Sequence, residues 1–398
     1  MKRIIFLFCT LVVTLSFFSC KKNPVNPPCS GCNPDSTGDF TDIYVVGTMN
    51  YDPSVLNQTS ATLWKNGNAT RLNNVQSAAY DVAVDDSTGD VFVVGSSPVT
   101  GSNDTYATYW LNGVEHHLTD GFSHATATSV GIEYFKTGPG DHDWTRRVFI
   151  CGTDQYFPGG GVTQTQAVYW EEKDGIKHSL APAPSQCLDN MAVLDIYGKP
   201  LACGLLGSTS PSSGFAAVWP DPVLSYPGSP QPKVGISPGS VVNAMTLALF
   251  LQPDTAYKIY ACGKDKVAGE NTFRATLWIE GTPTYLTNGS NYATAEDISV
   301  TLENKAYICG EEQFTQGKYT AVYWKPDGTV VKLSDGTNNA FATNIVANKT
   351  TVLICGHEAV PTGSGMPQIF IAKYWKDGVA VNLSDGIHSA NAYGMTAR

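Results

Sequence analysis

Charge is scarce in this chain, and helical patterning is absent beyond residue 20. Asp, Glu, Lys and Arg make up 15% of 398 residues, while apolar residues make up 42%, which excludes the charged, weakly hydrophobic composition of disordered chains. No apolar run beyond residue 20 is long enough to cross a bilayer as a helix. Basic residues are outnumbered, 25 Lys and Arg against 35 Asp and Glu, for a net charge of −10. Such a surface repels phosphate backbones, so nucleic acid is not an expected partner. Catalytic signatures are missing too: no GxSxG, HExxH, P-loop or GxGxxG stands in a context that gives it meaning.

What is present begins with MKRIIFLFCTLVVTLSFFSC, where Lys2 and Arg3 precede an apolar run from Ile4 to Phe18 and small Ser19 precedes Cys20. This order of charged, apolar and small residues predicts a signal peptide over residues 1–19. Cys20 directly after Ser19 resembles a bacterial lipobox and is the expected lipidated residue. Residues 20–40 then carry four prolines and no periodic apolar pattern, as a tether does. The expected location is the cell envelope, with the chain lipid-anchored to the outer membrane and periplasmic or surface-exposed.

Of ten cysteines, Cys151, Cys203, Cys262, Cys309 and Cys355 each precede a glycine, and Val46 and Val94 occupy that place in two further repeats. A position that accepts Val or Cys is a small apolar core site, so these five are expected as buried thiols. Cys29 and Cys32 form a CxxC in the Pro-rich tether, which lacks the strand-to-helix setting of a redox motif.

From residue 41 to 398 one pattern returns seven times. An apolar strand ends in Gly, a long polar loop follows, and a second strand ends in Trp. A tight Gly turn, a short strand and a polar link then lead to an Ala-rich strand. Its anchors are Gly47, Gly95, Gly152, Gly204, Gly263, Gly310 and Gly356, and Trp64, Trp110, Trp170, Trp219, Trp278, Trp324 and Trp375. The Trp spacing of 46 to 60 residues is the size of a four-stranded unit. Asn66-Gly67, Asn112-Gly113, Asp174-Gly175, Asp327-Gly328 and Asp377-Gly378 are two-residue hairpin turns by composition. The first unit starts at its second strand, IYVVG, and the chain finishes on ANAYGMTA, the first strand of a unit that does not continue. The predicted fold is therefore all-β, a seven-bladed β-propeller closed by a C-terminal strand joining the N-terminal blade, which leaves no exposed sheet edge. The segments SATLWKNGNATRL, RATLWIEGTPTYLT and IAKYWKDGVAVNLSDG resemble extracellular HAF-type repeats; that resemblance implies an exported propeller and no particular reaction.

Residues that recur in every blade serve the fold, so a site used once per molecule should break the repeat. The long loops between the second and third strands of each unit, such as NYDPSVLNQTS and TDQYFPGGGVTQTQ, vary freely and are where binding usually resides. Alternation along the Ala-rich strand places Asp81, Ser129, Asn190, Asp297 and Asn344 at one inward-facing level, with Ala244 and Gly394 in the other two blades and Asn243 one residue off. Such a ring suits a small polar ligand or calcium, or a solvated channel; no cofactor is otherwise expected. His124 and His388 sit near Asp120 and Asp385 in solvated links, and Trp144, Arg146 and Arg147 end an insertion that starts at Glu133. The expected function is a non-enzymatic binding or scaffold lipoprotein of the cell envelope, recognising a protein or glycan through those loops and meeting the membrane through its lipid. The alternative is an envelope carbohydrate-active hydrolase or lyase using Asp81, Asp297 or other carboxylates on the loop face. The axis of the loop face distinguishes the two: an enzyme needs a pocket with two or more close titratable groups there, while a binder can present a broad rim of aromatics.

Overall fold

A computed structural model describes residues 40–52, 58–136, 144–156, 164–179, 185–192, 201–206, 215–220, 241–249, 257–266, 269, 272–279, 281–301, 303–315, 317–361 and 368–398; the strands between 185 and 249 are described by their backbone. Cys20, Cys29 and Cys32 lie outside these residues. Among the described residues there is no helix, and the strands form seven antiparallel sheets, six of four strands and one of three.

Sheet 1 joins the two ends of the chain: Ala390–Ala397 pairs with Ile43–Asn50, which continues to Thr59–Lys65 and Asn68–Arg71. The other six follow in sequence, and their innermost strands are Ala78–Val84 (sheet 2), Ala125–Lys136 (3), Ser185–Ala192 (4), Val241–Leu249 (5), Ala293–Val300 (6) and Ala340–Ala347 (7). Each innermost strand touches that of the next sheet, and the one in sheet 7 touches Ala390–Ala397 of sheet 1.

The hairpin chemistry explains the outer half of each sheet. Asn66, Asn112 and Asp377 sit at φ near +50°, each followed by a glycine at positive φ, as a primed two-residue turn demands. Their side-chain oxygens also accept hydrogen bonds from the first backbone N–H of the second strand, at Ile43 (2.8 Å), Val91 (2.9 Å) and Val352 (2.9 Å). One residue thus sets the turn and caps the neighbouring strand.

Between sheets the core is aromatic and aliphatic. Trp110 of sheet 2 packs with Tyr44, Val46 and Ala61 of sheet 1, and Trp375 of sheet 7 packs with Cys309, Ala321 and Tyr323 of sheet 6. Cys151, Cys262, Cys309 and Cys355 are buried thiols in this core, consistent with their exchange for Val in the repeat. Cys203 lies on a strand described by its backbone.

The repeat glycine has a steric cause. In the innermost strands the pairing slips by one residue, between Ala79 and Asp81, Ala127 and Ser129, Ala295 and Asp297, and Ala342 and Asn344. Such a bulge kinks the strand locally. At Gly95 a Cβ would lie 1.9 Å from the Ala78 carbonyl oxygen, and the same contact recurs at 1.9 Å from Gly152 to Thr126 and at 2.1 Å from Gly310 to Thr294. No side chain fits there. We expect Gly95→Ala to lower stability by about 2 kcal/mol or more through overpacking against backbone, whereas Gly131→Ala, whose Cβ meets nothing within 4 Å, should cost nothing; denaturant unfolding of the two variants checks this.

Candidate functional site

The bulge decides which inner-strand residues stay partly exposed. Its extra residue is Tyr80, Thr128, Glu296, Thr343 or Tyr393 in the sheets with described side chains, and all five are partly exposed. The residues expected to form an inward ring follow one position later and are buried: Asp81 is 5% exposed, Ser129 2%, Asp297 0% and Asn344 5%. The Asp81 carboxylate accepts hydrogen bonds from Ser129 Oγ (3.1 Å) and the Val130 N–H (3.1 Å), which ties sheet 2 to sheet 3. The Asp297 carboxylate accepts from the N–H groups of Ile298 (2.6 Å) and Ile345 (2.9 Å), tying sheet 6 to sheet 7. The two carboxylates therefore serve the joints between sheets. Asn190 and Ala244 lie on strands described by their backbone, and Asn243 is the bulge residue of Val241–Leu249. At Gly394 the backbone of Tyr80 and Asp81 comes so near that a Cβ would lie 2.5 Å from the Tyr80 carbonyl oxygen.

A different cluster of titratable groups forms where the bulge residue of sheet 6 meets the residue after the repeat glycine. Glu311 follows Gly310 and pairs with Thr294, so Glu311, Thr294 and Glu296 share one region of the sheet. Thr294 Oγ1 donates to Glu296 Oε1 (3.0 Å). Lys264, which follows Gly263 in sheet 5, donates from Nζ to the Tyr292 hydroxyl (3.0 Å) and lies 5.5 Å from the Phe273 ring centroid.

Electrostatics separates the roles of these groups. Burial lifts the Glu311 carboxyl well above the ordinary carboxylate range and the charge of Glu296 lifts it further, against the opposing pull of Lys264. Burial raises Glu296 as well, but its hydrogen bond from Thr294 and the Lys264 ammonium favour the ionised form. Burial alone would lower Lys264; the hydrogen bond to Tyr292 and the attraction of both glutamates overcome it and hold the ammonium charged. The cluster thus sets two carboxyls, both raised by burial and Glu311 the more strongly, beside the Lys264 ammonium.

An arc of rings starts at this cluster. Tyr292 lies 5.9 Å from Tyr319, Tyr319 5.4 Å from Phe341, Phe341 5.3 Å from His357, His357 6.0 Å from Tyr393 and Tyr393 5.8 Å from Tyr80, centroid to centroid. All six are partly exposed. Burial among these rings pulls the His357 imidazole down to about 4, against a weak opposing hydrogen bond to the Ala392 carbonyl (3.4 Å).

Other side-chain groupings are structural. Ser97 Oγ (3.5 Å) and Glu115 Oε1 (3.3 Å) both approach the same nitrogen of His117, Nε2, whereas a nucleophile–base–orienter relay needs the two ring nitrogens separately. His388 Nδ1 lies 2.6 Å from Asp385 on the surface, and His124 Nδ1 lies 3.3 Å from Thr105 Oγ1. Arg146 donates to Asp85 (3.0 Å) and Asp90 (2.8 Å) of sheet 2, while Arg147 pairs with Glu171 of its own sheet. The hydroxyl of Tyr134 donates to Asp85 as well, at 2.6 Å, so the long hairpin is anchored to its neighbour. Among the described residues no group of three or more His, Cys, Asp or Glu is placed to hold a metal ion.

No family model matches the chain, and no curated protein matches it. Among solved structures, a puromycin hydrolase mutant complexed with PGG is similar with a TM-score of 0.51 and 10% identity over 88% of this chain. The tricorn protease is similar with a TM-score of 0.37 and 9% identity over 77% of this chain and 26% of its own. The chain spans 54% of the puromycin hydrolase chain. At these identities the likeness shows the fold, which is β-rich and propeller-like.

The expectation of a non-enzymatic binding or scaffold protein is corrected here. The solved structure similar over 88% of the chain is a hydrolase, and Glu296 lies close enough to Glu311 for its charge to act on that carboxyl. Lys264, Glu296, Glu311 and His357 were not among the expected site residues. The repeat does mark three of them: the residue after the glycine is Thr48, Ser96 or Thr153 in sheets 1 to 3, but Lys264, Glu311 or His357 in sheets 5 to 7. Because the folded pKa of His357 lies below its ordinary 6.5, the unfolded chain binds the extra proton. Stability therefore falls as pH drops from about 6.5 towards 4, by up to about 3 kcal/mol. His357→Gln should flatten that slope in denaturant midpoints measured between pH 4.5 and 7.5.

Proposed function

We propose that this protein is a hydrolase acting on a glycosidic bond, with Glu311 as general acid and Glu296 as the carboxylate that activates water or meets the sugar carbon. The observation that carries this reading is a pair of neighbouring carboxyls in unequal environments: burial raises both, Glu311 well above the ordinary range, while a hydrogen bond from Thr294 opposes the rise at Glu296. Glycoside hydrolysis needs that pairing. The proton on Glu311 passes to the departing glycosidic oxygen as the bond to the sugar carbon breaks. Water supplies the new bond to that carbon, and its proton ends on Glu296. Lys264, held by its hydrogen bond to Tyr292, supplies positive charge beside Glu296 and Glu311.

The seven sheets are proposed to be the blades of a closed seven-bladed propeller. Support comes from the contact of Ala340–Ala347 with Ala390–Ala397, and from Trp64 of sheet 1, which shares a core cluster with Leu353, Cys355 and Ala372 of sheet 7. Removing residues 389–398 is expected to expose both the edge of Ile43–Asn50 and the flank of sheet 7. A melting temperature that stays unchanged in this truncation would refute closure.

Glu311→Gln keeps the shape of the side chain and removes the transferable proton, so we expect a loss of at least about a hundredfold in reducing-end release from polysaccharides. Its fold should be unharmed, since the variant no longer buries a titratable carboxyl. In the parent, activity should fall as pH rises through the elevated Glu311 pKa, because only the protonated form donates. Full activity in Glu311→Gln, or cleavage of peptides and not of any polysaccharide, would exclude the assignment.

A further inference from the structure

The aromatic arc extends the site far beyond the two carboxylates, and we infer that it is a row of sugar-binding subsites, so that the substrate is a neutral, linear oligosaccharide of several units. This inference rests on the proposed reaction. Three features support it. First, the arc is continuous and begins at the reacting groups: Tyr292 accepts the hydrogen bond from Lys264 and lies 5.9 Å from the next ring, Tyr319. Second, successive rings are spaced 5.3 to 6.0 Å apart across sheets 6, 7, 1 and 2, comparable to the repeat of one sugar along an extended chain, and each keeps part of its surface open. The apolar C–H face of a pyranose stacks on such rings. Third, the charge favours an uncharged chain. The net charge of −10 opposes a polyanion, and the cation beside the arc, Lys264, is engaged by Tyr292 and faces Glu296 and Glu311.

The arc rings come from unlike places in the repeat. Tyr80 and Tyr393 are bulge residues, His357 follows the repeat glycine, Phe341 lies two residues before a bulge and Tyr319 is in a third strand. Packing of the scaffold does not require aromatics there, because Thr128 and Thr343 fill the equivalent bulge positions in sheets 3 and 7. A ligand that spans sheets explains why the rings nonetheless form one surface.

The test measures binding without turnover. Calorimetry on the full-length Glu311→Gln protein would use neutral β-1,4-linked gluco-, xylo- and N-acetylglucosamine oligosaccharides of two and six units. We expect the six-unit chain of at least one series to bind about tenfold or more tighter than its two-unit counterpart. Adding Phe341→Ala should weaken the six-unit chain by about tenfold, roughly 1.4 kcal/mol, and change the two-unit chain little, while Phe341→Tyr restores binding. Equal affinity for short and long chains in every series overturns the inference, as does six-unit binding unaffected by Phe341→Ala in a folded variant. Length-dependent binding together with undiminished cleavage by Glu311→Gln keeps the subsites and discards the catalytic assignment; an inactive Glu311→Gln with no length dependence does the reverse.

Discussion

The close approach of backbone to backbone at the inner bulge is the constraint on which this structure turns. Where an inner strand takes in an extra residue, the preceding carbonyl is pushed onto the facing strand, and glycine is the residue that accepts it. The alanine paired with that glycine, Ala79 or Ala295 for example, is fully buried, since the same crowding leaves room for a methyl and no more. The bulge also splits adjacent residues between two environments. Asp297 goes into the joint between sheets and binds its neighbour's backbone, while Glu296 beside it accepts a hydrogen bond from Thr294 and lies near Lys264. Scaffold and chemistry are separated by one peptide unit.

This separation sets what could be read from the chain. The seven glycine and tryptophan anchors, the Asn-Gly and Asp-Gly turns and the thiols at core positions were all legible, because each follows from a local rule: positive φ, volume or repeat spacing. The direction of the inner-strand side chains was not. Alternation has a period of two and contains no mark for an inserted residue, so a single bulge moves the whole inward set by one position. Asp81, Ser129, Asp297 and Asn344 each follow the inserted residue and are buried, and Asp81 and Asp297 bond across the joints between sheets. The glycine opposite was the available signal, read as a strand terminus when it marked a close approach. The aromatic arc was illegible for another reason: its rings come from different repeat positions and meet only after the sheets are set side by side.

Local consistency is highest where the repeat is strict and lowest at the titratable cluster, as expected if sites are where a sequence departs from its own rules. Placing Glu296 and Glu311 together in a desolvated region opposes folding, and nothing in the repeat calls for it: Thr153 sits where Glu311 does, and Thr128 where Glu296 does. The surrounding scaffold tolerates that cost because its inter-sheet joints are independent of it. They rest on buried indoles, and in two places on carboxylates whose oxygens meet backbone N–H groups.

Sheet 1 carries a different implication. Among the described residues its innermost strand is the last and its second strand the first, with the Thr41 N–H donating to the Arg398 carbonyl across 2.7 Å. With the proposed closure, strands that adjoin in this way give a circular topology, in which the order of the sheets has no intrinsic beginning. The chain can in principle be reopened at any of its exposed Asp-Gly turns, such as Asp120-Gly121, and rejoined at residues 41 and 398 with every strand pairing kept. What such a permutation changes is the sequence separation of the contacts in sheet 1, now nearly the whole length of the described chain. Contacts so distant in sequence carry a large loop-closure cost, and the present chain order places that cost on the pairing of Ile43–Asn50 with Ala390–Ala397.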